Sequence, residues 1–177
     1  TLIAIMLWWS PAINRVLDPY LVVLNALPKI ALGPILIVWF GAGITSIIVM
    51  ALLISFVVTI MSVLAGFNEI TGEKQLLMKT LGASKLQIFT MVVLPASLPT
   101  IMNALKISVG MSWVGVIVGE YLVSKAGLGY LIVYGGQVFK LDLVMASIVV
   151  LCLLAALMYY GVAYMEKKLV KWRMHGG

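Results

Sequence analysis

Three ionisable side chains lie inside or at the ends of long apolar stretches of this sequence, and chemistry within those stretches would depend on them. They are Lys29, Lys106 and Glu120. An unpaired charge inside a membrane-spanning helix is costly, so such a side chain normally faces a partner or a water-filled cavity. The three residues are therefore the first candidates for a functional site.

The sequence around these residues favours a solute pathway for one of them and leaves two interpretations for the others. Pro28 precedes Lys29, and a kinked backbone beside a cation is typical of the broken helices that line transport paths. Lys106 either snorkels toward the headgroups or pairs with a nearby carbonyl, or it contacts a solute. Glu120 either forms an ion pair with Lys125 or serves a gate. We keep Pro28, Lys29, Lys106 and Glu120 as candidates for the pathway.

The patterns that usually carry catalysis are absent from the sequence. It contains no G-x-x-x-x-G-K-[ST] loop for nucleotide phosphates, no cluster of His, Cys, Asp and Glu with metal-ligand spacing, and no Ser/His/Asp set. The one cysteine, Cys152, lies in an apolar run, and His175 lies in the C-terminal tail. We therefore expect no enzyme and no cofactor in this chain, which leaves solute movement or the anchoring of other subunits.

The composition indicates an integral membrane protein. The chain of 177 residues is 63% hydrophobic and 10% charged, with a mean hydropathy of +1.16, which is more apolar than a soluble core needs. We predict an all-α, polytopic membrane helical bundle that forms a single domain over residues 1–177, with about five spans. The chain starts inside an apolar run without Met or a charged region, so we expect that one or more N-terminal spans are missing.

The predicted elements follow the apolar runs and the turn residues between them. Arg15 and Asp18 mark a polar turn after the first run. In chain order, we predict the tail of a span (1–9), a helix kinked near Pro28 (19–40), a turn (41–43), the clearest span (44–67), a further span (97–121), a glycine-rich connector too broken to span (123–141) and the last span (143–165).

Residues 69–95 form the one long polar interruption, and the other elements are arranged around it. Thr71 can cap a short helix, with Glu73 near its positive N-terminal end and Lys79 near its negative C-terminal end. Gly82 then supplies a left-handed stop. The first part of the interruption is therefore predicted to be a helix that ends in a glycine elbow.

A second helix is predicted to start directly after the elbow. Ser84 and Gln87 have the S-x-x-Q spacing of a capping box. Pro95 lacks a backbone N–H and is expected to interrupt that helix.

The first of these helices has a predicted apolar side. Leu77, Met78 and Leu81 are expected on one side, with Gln75 and Lys79 on the other. At about three turns the helix is too short to span a bilayer. The spacing leaves open whether the apolar side lies on lipid headgroups, on the protein's own bundle or on a protein partner.

The basic residues predict the orientation of the chain. If residues 69–95 face the cytoplasm, alternation of the spans places eight of the twelve Lys and Arg side chains inside. The positive-inside rule favours this arrangement. We therefore expect the loop 69–95 and the C-terminal tail 166–177 on the cytoplasmic side of the membrane. The eight residues are Arg15, Lys74, Lys79, Lys85, Lys167, Lys168, Lys171 and Arg173.

The loop resembles the EAA loop of ABC importer permeases, in which a glycine is followed, after nine residues, by an apolar residue, any residue, Leu and Pro. Gly82, Val92, Leu94 and Pro95 match this pattern. The segments 26–43, 81–89, 92–101 and 126–132 look like the subfamily associated with nitrate, sulfonate, taurine, bicarbonate and related solutes. The similarity extends from about residue 17 to residue 173.

This resemblance implies a type I importer permease in the inner membrane of a prokaryote. It implies a second permease chain, as in a homodimer, an extracytoplasmic solute-binding protein, and two cytoplasmic ATPase subunits that hold ATP and Mg²⁺. The helix at residues 72–84 would insert into a cleft of each ATPase. The residues implied for this coupling are Glu73, Lys74, Leu77, Met78, Leu81, Gly82, Ala83 and Ser84, with a polar rim of Lys74, Lys79 and Lys85.

One departure from the pattern affects the expected docking contacts. Leu76, Leu77 and Met78 stand where the family usually has Glu-Ala-Ala, and Glu73 lies one turn earlier. Two other classes of function also remain, namely an ion-coupled carrier or channel without an ATPase, and a membrane anchor for another enzyme. The sequence does not identify a solute.

Overall fold

The computed structural model describes residues 1–70 and 72–174, with the side chains of Glu73 and of residues 169–174 left out. Within these ranges the chain forms helices and turns, without a strand. His175 and Thr71 lie outside the described residues, so the predicted cap at Thr71 is not described. In chain order the helices are α1 (Leu2–Trp9), α2 (Pro11–Ala26), a 3₁₀ turn (Lys29–Leu32), α3 (Gly33–Phe40), α4 (Ile44–Asn68), α5 (Gly72–Thr80), α6 (Lys85–Ile88), a π-helical segment (Phe89–Val93), α7 (Leu94–Val123), α8 (Leu128–Gln137) and α9 (Leu141–Met174).

Helix α2 begins earlier than predicted. The N–H of Ile13 donates to Ser10 Oγ at 3.4 Å, and Pro11 occupies the first turn, where its missing N–H costs nothing. The predicted polar turn at Arg15 and Asp18 is therefore wrong, since both residues lie inside this helix.

The predicted break near Pro28 is confirmed. Leu27 has an extended backbone with ψ of 133°, as expected for a residue before proline, and α2 ends there. The segments Pro11–Ala26 and Lys29–Phe40 are bent by 83° relative to one another.

Three helices of the described chain are long and apolar enough to cross a membrane, or four if the bent pair crosses as one span. The three are Ile44–Asn68, Lys85–Val123 and Leu141–Lys168. The chain is thus an all-helical, multi-span membrane protein. The bent pair α2 and α3 counts as one span in the larger number, and the predicted tail of a span at residues 1–9 is the helix α1.

Helices α4 and α7 pack closely along their length, because two glycines of α7 bring the backbones together. A Cβ on Gly119 would lie 2.9 Å from the Cα of Ile47. A Cβ on Gly115 would overlap the Cα of Ala51 and lie 3.0 Å from its backbone nitrogen. The pair α4 and α7 is therefore the closely packed centre of the fold.

The predicted interruption at Pro95 is wrong, because the helix continues through the π-helical segment into α7. The N–H of Leu94 donates to the carbonyl of Phe89, five residues earlier. This wider turn shifts the register by one residue and places Pro95 in the first turn of α7, where proline is tolerated. Pro99 also lies inside α7.

The connector 123–141 does not span, as predicted, but it contains the ten-residue helix α8, which packs against α7 and α9. Helix α9 is longer than the predicted span 143–165. It continues as a helix through most of the predicted tail.

Candidate functional site

Helix α5 ends in the left-handed stop that the sequence predicts. Gly82 has φ of +80°, a conformation that side chains disfavour. The N–H of Gly82 donates to the carbonyl of Lys79 at 3.0 Å, and the N–H of Ala83 donates to that of Met78 at 2.9 Å. These two bonds form a Schellman motif, which fixes the direction in which the chain leaves the helix.

The predicted capping box is confirmed at the start of α6. The N–H of Gln87 donates to Ser84 Oγ at 3.3 Å, and the N–H of Ser84 donates to Gln87 Oε1 at 2.8 Å. Both sides of the elbow are therefore held by hydrogen bonds, so α5 and α6 keep a defined angle.

The side of α5 that faces the bundle differs from the prediction. Met78 and Ala83 pack against the core cluster that contains Phe67 and Val93. Gln75 is half-buried, and its Nε2 donates to the carbonyl of Ile70 at 3.4 Å. Since residues 75 and 78 are about 60° apart on a helix, they share the inward side.

Helix α5 therefore points its leucines outward. Leu76, Leu77 and Leu81 are 62%, 61% and 74% exposed, and we call them the leucine face. Grouping Met78 with Leu77 and Leu81 on one side was wrong, because Met78 is committed to the bundle. Lys74 and Lys79 are exposed, and Glu73 has no described side chain. An apolar patch of this kind outside the apolar spans is typical of a docking surface.

Lys85 ties the elbow to the N-terminal helix. Its Nζ donates to the carbonyl of Trp9 and lies 5.6 and 5.4 Å from the ring centroids of Trp8 and Trp9. The ring of Trp8 also lies 5.1 Å from that of Phe89. Sequence reasoning assigned Lys85 to a polar rim and missed its contacts with Trp8 and Trp9, because Trp9 is 76 residues away in the sequence.

The residues that end the loop pattern lie inside the π-helical segment or directly after it. Val93 is fully buried, and Leu94 packs against the same core cluster as Met78. Val92 is half-buried. The elbow is therefore continuous with the core through this segment.

The four pathway candidates do not form one site. Pro28 and Lys29 lie at the break between α2 and α3, where the half-buried Lys29 donates from its Nζ to the carbonyl of Asn25 at 2.9 Å. None of the contacts that the structure gives for the described residues joins two of the four candidates. Their role in a solute pathway stays a prediction.

Lys106 forms an ion pair with Glu166, which connects α7 to the end of the last span in α9. The side chains are only 17% and 25% exposed, and Lys106 Nζ lies 5.8 Å from the ring centroid of Tyr159. Of the alternatives predicted for Lys106, pairing within the protein is the one observed, with a carboxylate in place of a carbonyl. Sequence reasoning used Glu166 only to end the last span, since no local spacing relates residues 60 positions apart.

Glu120 caps helix α8, and its predicted ion pair with Lys125 is absent from the described residues. Its Oε2 accepts the N–H of Gly129 at 2.7 Å, at the positive N-terminal end of α8. A Cβ on Gly127, which has φ of +110°, would overlap the Glu120 carboxylate. The A-G-L-G motif after the glutamate was the signal that could have predicted this contact.

Known proteins are similar to this chain over almost its whole length. The family model "binding-protein-dependent transport system inner membrane component" matches residues 1–171. The taurine transport system permease protein of Escherichia coli is 32% identical over 174 residues, which are 98% of this chain and 62% of the relative. The formylaminopyrimidine transport permease protein of Halalkalibacterium halodurans is 31% identical over 172 residues, which are 97% of this chain and 69% of the relative. The chain thus spans about three fifths of the length of the taurine relative.

Proposed function

The chain belongs to the family of inner membrane components of binding-protein-dependent transport systems, and we propose that it lines the solute pathway of an ATP-driven importer. In this proposal a separate ATPase binds the leucine face and the elbow, and the chain itself has no ATP site. The expected partners are cytoplasmic ATPase subunits with their ATP and Mg²⁺, a second permease chain and an extracytoplasmic solute-binding protein.

The observation that carries the proposal is the attachment of α5 to the core. Met78 and Ala83 seat the helix on the bundle, and Lys85 holds the elbow to α1. The elbow then runs through the π-helical segment into α7, which packs closely on α4. A force applied to the leucine face would therefore move the spans rather than bend a loose loop.

The chemistry of the leucine face suggests the kind of cleft that receives it. Leu76, Leu77 and Leu81 offer apolar area, with Lys74 and Lys79 beside them. We expect an apolar cleft with acidic groups at its rim, since apolar side chains form the centre of an interface and charges its edge. Because residue 76 is Leu76, this position offers no carboxylate to the cleft.

The orientation belongs to the same proposal. Arg15, Lys74 and Lys85 lie on the elements around the elbow, and Lys167 and Lys168 follow the ion-paired Glu166. Positive charge favours the cytoplasmic side, which supports our proposal that the elbow and the C-terminal tail face the cytoplasm. The named solutes of the two relatives differ, so we propose import of a small solute without naming it.

Leu81→Arg and Leu81→Met test the proposal in the assembled transporter. A charge on the leucine face should abolish the ATP hydrolysis that solute-loaded binding protein stimulates, while the apolar methionine should preserve it. Membrane insertion should be equal in both variants, because Leu81 is 74% exposed and leaves no cavity. Normal stimulation in Leu81→Arg would contradict coupling through this face.

A further inference from the structure

A cavity of about 540 Å³ lies beside the elbow, between α5 and the N-terminal helices. Its walls come from α1, α2, the end of α4, α5 and the elbow. The volume is in the range of about 300–1,000 Å³ that small-molecule sites occupy. The leucine face is not part of its lining, although Lys79 and the elbow border both the cavity and the proposed docking surface.

The lining combines apolar with polar side chains and carries positive charge. Lys79 and Lys85 both line the cavity, together with the amides of Asn14, Asn68 and Gln75. Among the described side chains of the lining, none is Asp or Glu. The cavity therefore favours an anion, and two ammonium groups suit a phosphate.

The position of the cavity favours a lipid as the source of that phosphate. The long apolar helix α4 ends at Asn68, which lines the cavity, and Trp8 lies in its wall. Tryptophan is enriched where the hydrocarbon region meets the headgroups. Basic pockets between helices at this level are suited to phospholipid heads.

We infer that this cavity binds the head of an anionic phospholipid such as phosphatidylglycerol, with Lys79 and Lys85 on the phosphodiester. The bound head joins α5 to the elbow, so it stabilises the seat of the elbow on the bundle. The inference does not depend on which solute is transported.

Native mass spectrometry tests the inference by measuring which lipid stays bound to the full chain. The chain is mixed with defined lipids in detergent, and the detergent is removed in the instrument. We expect phosphatidylglycerol to be retained in preference to phosphatidylcholine of the same chain length. Lys79→Gln removes one charge-assisted contact and should weaken retention about tenfold, while Lys79→Arg should preserve it.

Lys74→Gln is the matched control, since it removes the same charge from the same helix and Lys74 does not line this cavity. Retention should be unchanged in this variant. Thermal unfolding of the unmodified chain gives a second measurement, in which phosphatidylglycerol should raise the midpoint more than phosphatidylcholine. Equal retention of the two lipids, or an equal loss in Lys74→Gln and Lys79→Gln, would overturn the inference. Equal protection by inorganic phosphate alone would assign the cavity to a free anion and overturn the lipid assignment.

Discussion

Adding one methyl group at Gly115 should separate the two helices at the centre of the bundle. Its Cβ would overlap the Cα of Ala51, and the other two nearest atoms, the nitrogen and Cβ of Ala51, would lie at 3.0 and 3.2 Å. Two of these three atoms are backbone, so no side chain can rotate away and α4 must move. Overpacking of this kind typically costs about 1–3 kcal/mol.

Gly110 provides a control on the same helix. Nothing lies within 4 Å of the Cβ that it would carry. Alanine is favoured over glycine inside a helix by up to about 1 kcal/mol, so Gly110→Ala should be neutral or stabilising. Because the same gain applies at Gly115, the difference between the two variants isolates the cost of the helix contact.

Thermal unfolding, followed by tryptophan fluorescence in one detergent, measures this difference. A loss of 1–3 kcal/mol corresponds to a midpoint lower by roughly 2–12 °C for a chain of this size. The midpoint of Gly115→Ala should therefore fall below that of Gly110→Ala by at least a few degrees. Equal midpoints, or a more stable Gly115→Ala, would refute the close packing of α4 on α7.

The remaining predictions concern contacts that join separate elements. Glu120→Leu should destabilise the start of α8 by about 1–3 kcal/mol because the N–H of Gly129 loses its acceptor, and Glu120→Gln should destabilise it less. Hydrogen exchange of the α8 amides measures the effect and should become faster. Unchanged exchange would contradict the cap. Lys106→Glu should lower the amount of folded protein in the membrane, and adding Glu166→Lys to the same chain should restore it. Size-exclusion profiles measure that amount. A double variant with no more folded protein than Lys106→Glu would argue against the ion pair. Met78→Ala should lower the unfolding midpoint more than Leu77→Ala, since only Met78 packs on the core; equal effects would show that the assignment of the two sides of α5 is wrong.

Local signals predicted the elbow well. The stop at Gly82 and the box of Ser84 and Gln87 each depend on residues within one or two turns, so their sequence spacing is sufficient. The resemblance to importer permeases is confirmed by the family match over residues 1–171. Membrane helices were also predicted correctly as a class, because their apolar composition leaves few other structures.

Predictions failed where the outcome depends on distant or cooperative features. A π-helical turn has no simple sequence signature, so the continuation through Pro95 was missed. The pairing of Lys106 with Glu166 depends on how α9 packs on α7, which no local spacing reveals. The inward side of α5 was misassigned because the choice between Met78 and its leucine neighbours is made by the core beneath the helix.

The π-helical segment Phe89–Val93 also sets the azimuth of the elbow about the axis of α7. Each residue of an α-helix turns the chain by about 100°. Deleting one residue from this segment would leave the sequences of the flanking helices unchanged, yet it would rotate the elbow by roughly 100° about the axis of α7. The leucine face would then point to a different quarter of the membrane plane, so the five residues 89–93 fix where around the bundle a partner has to approach.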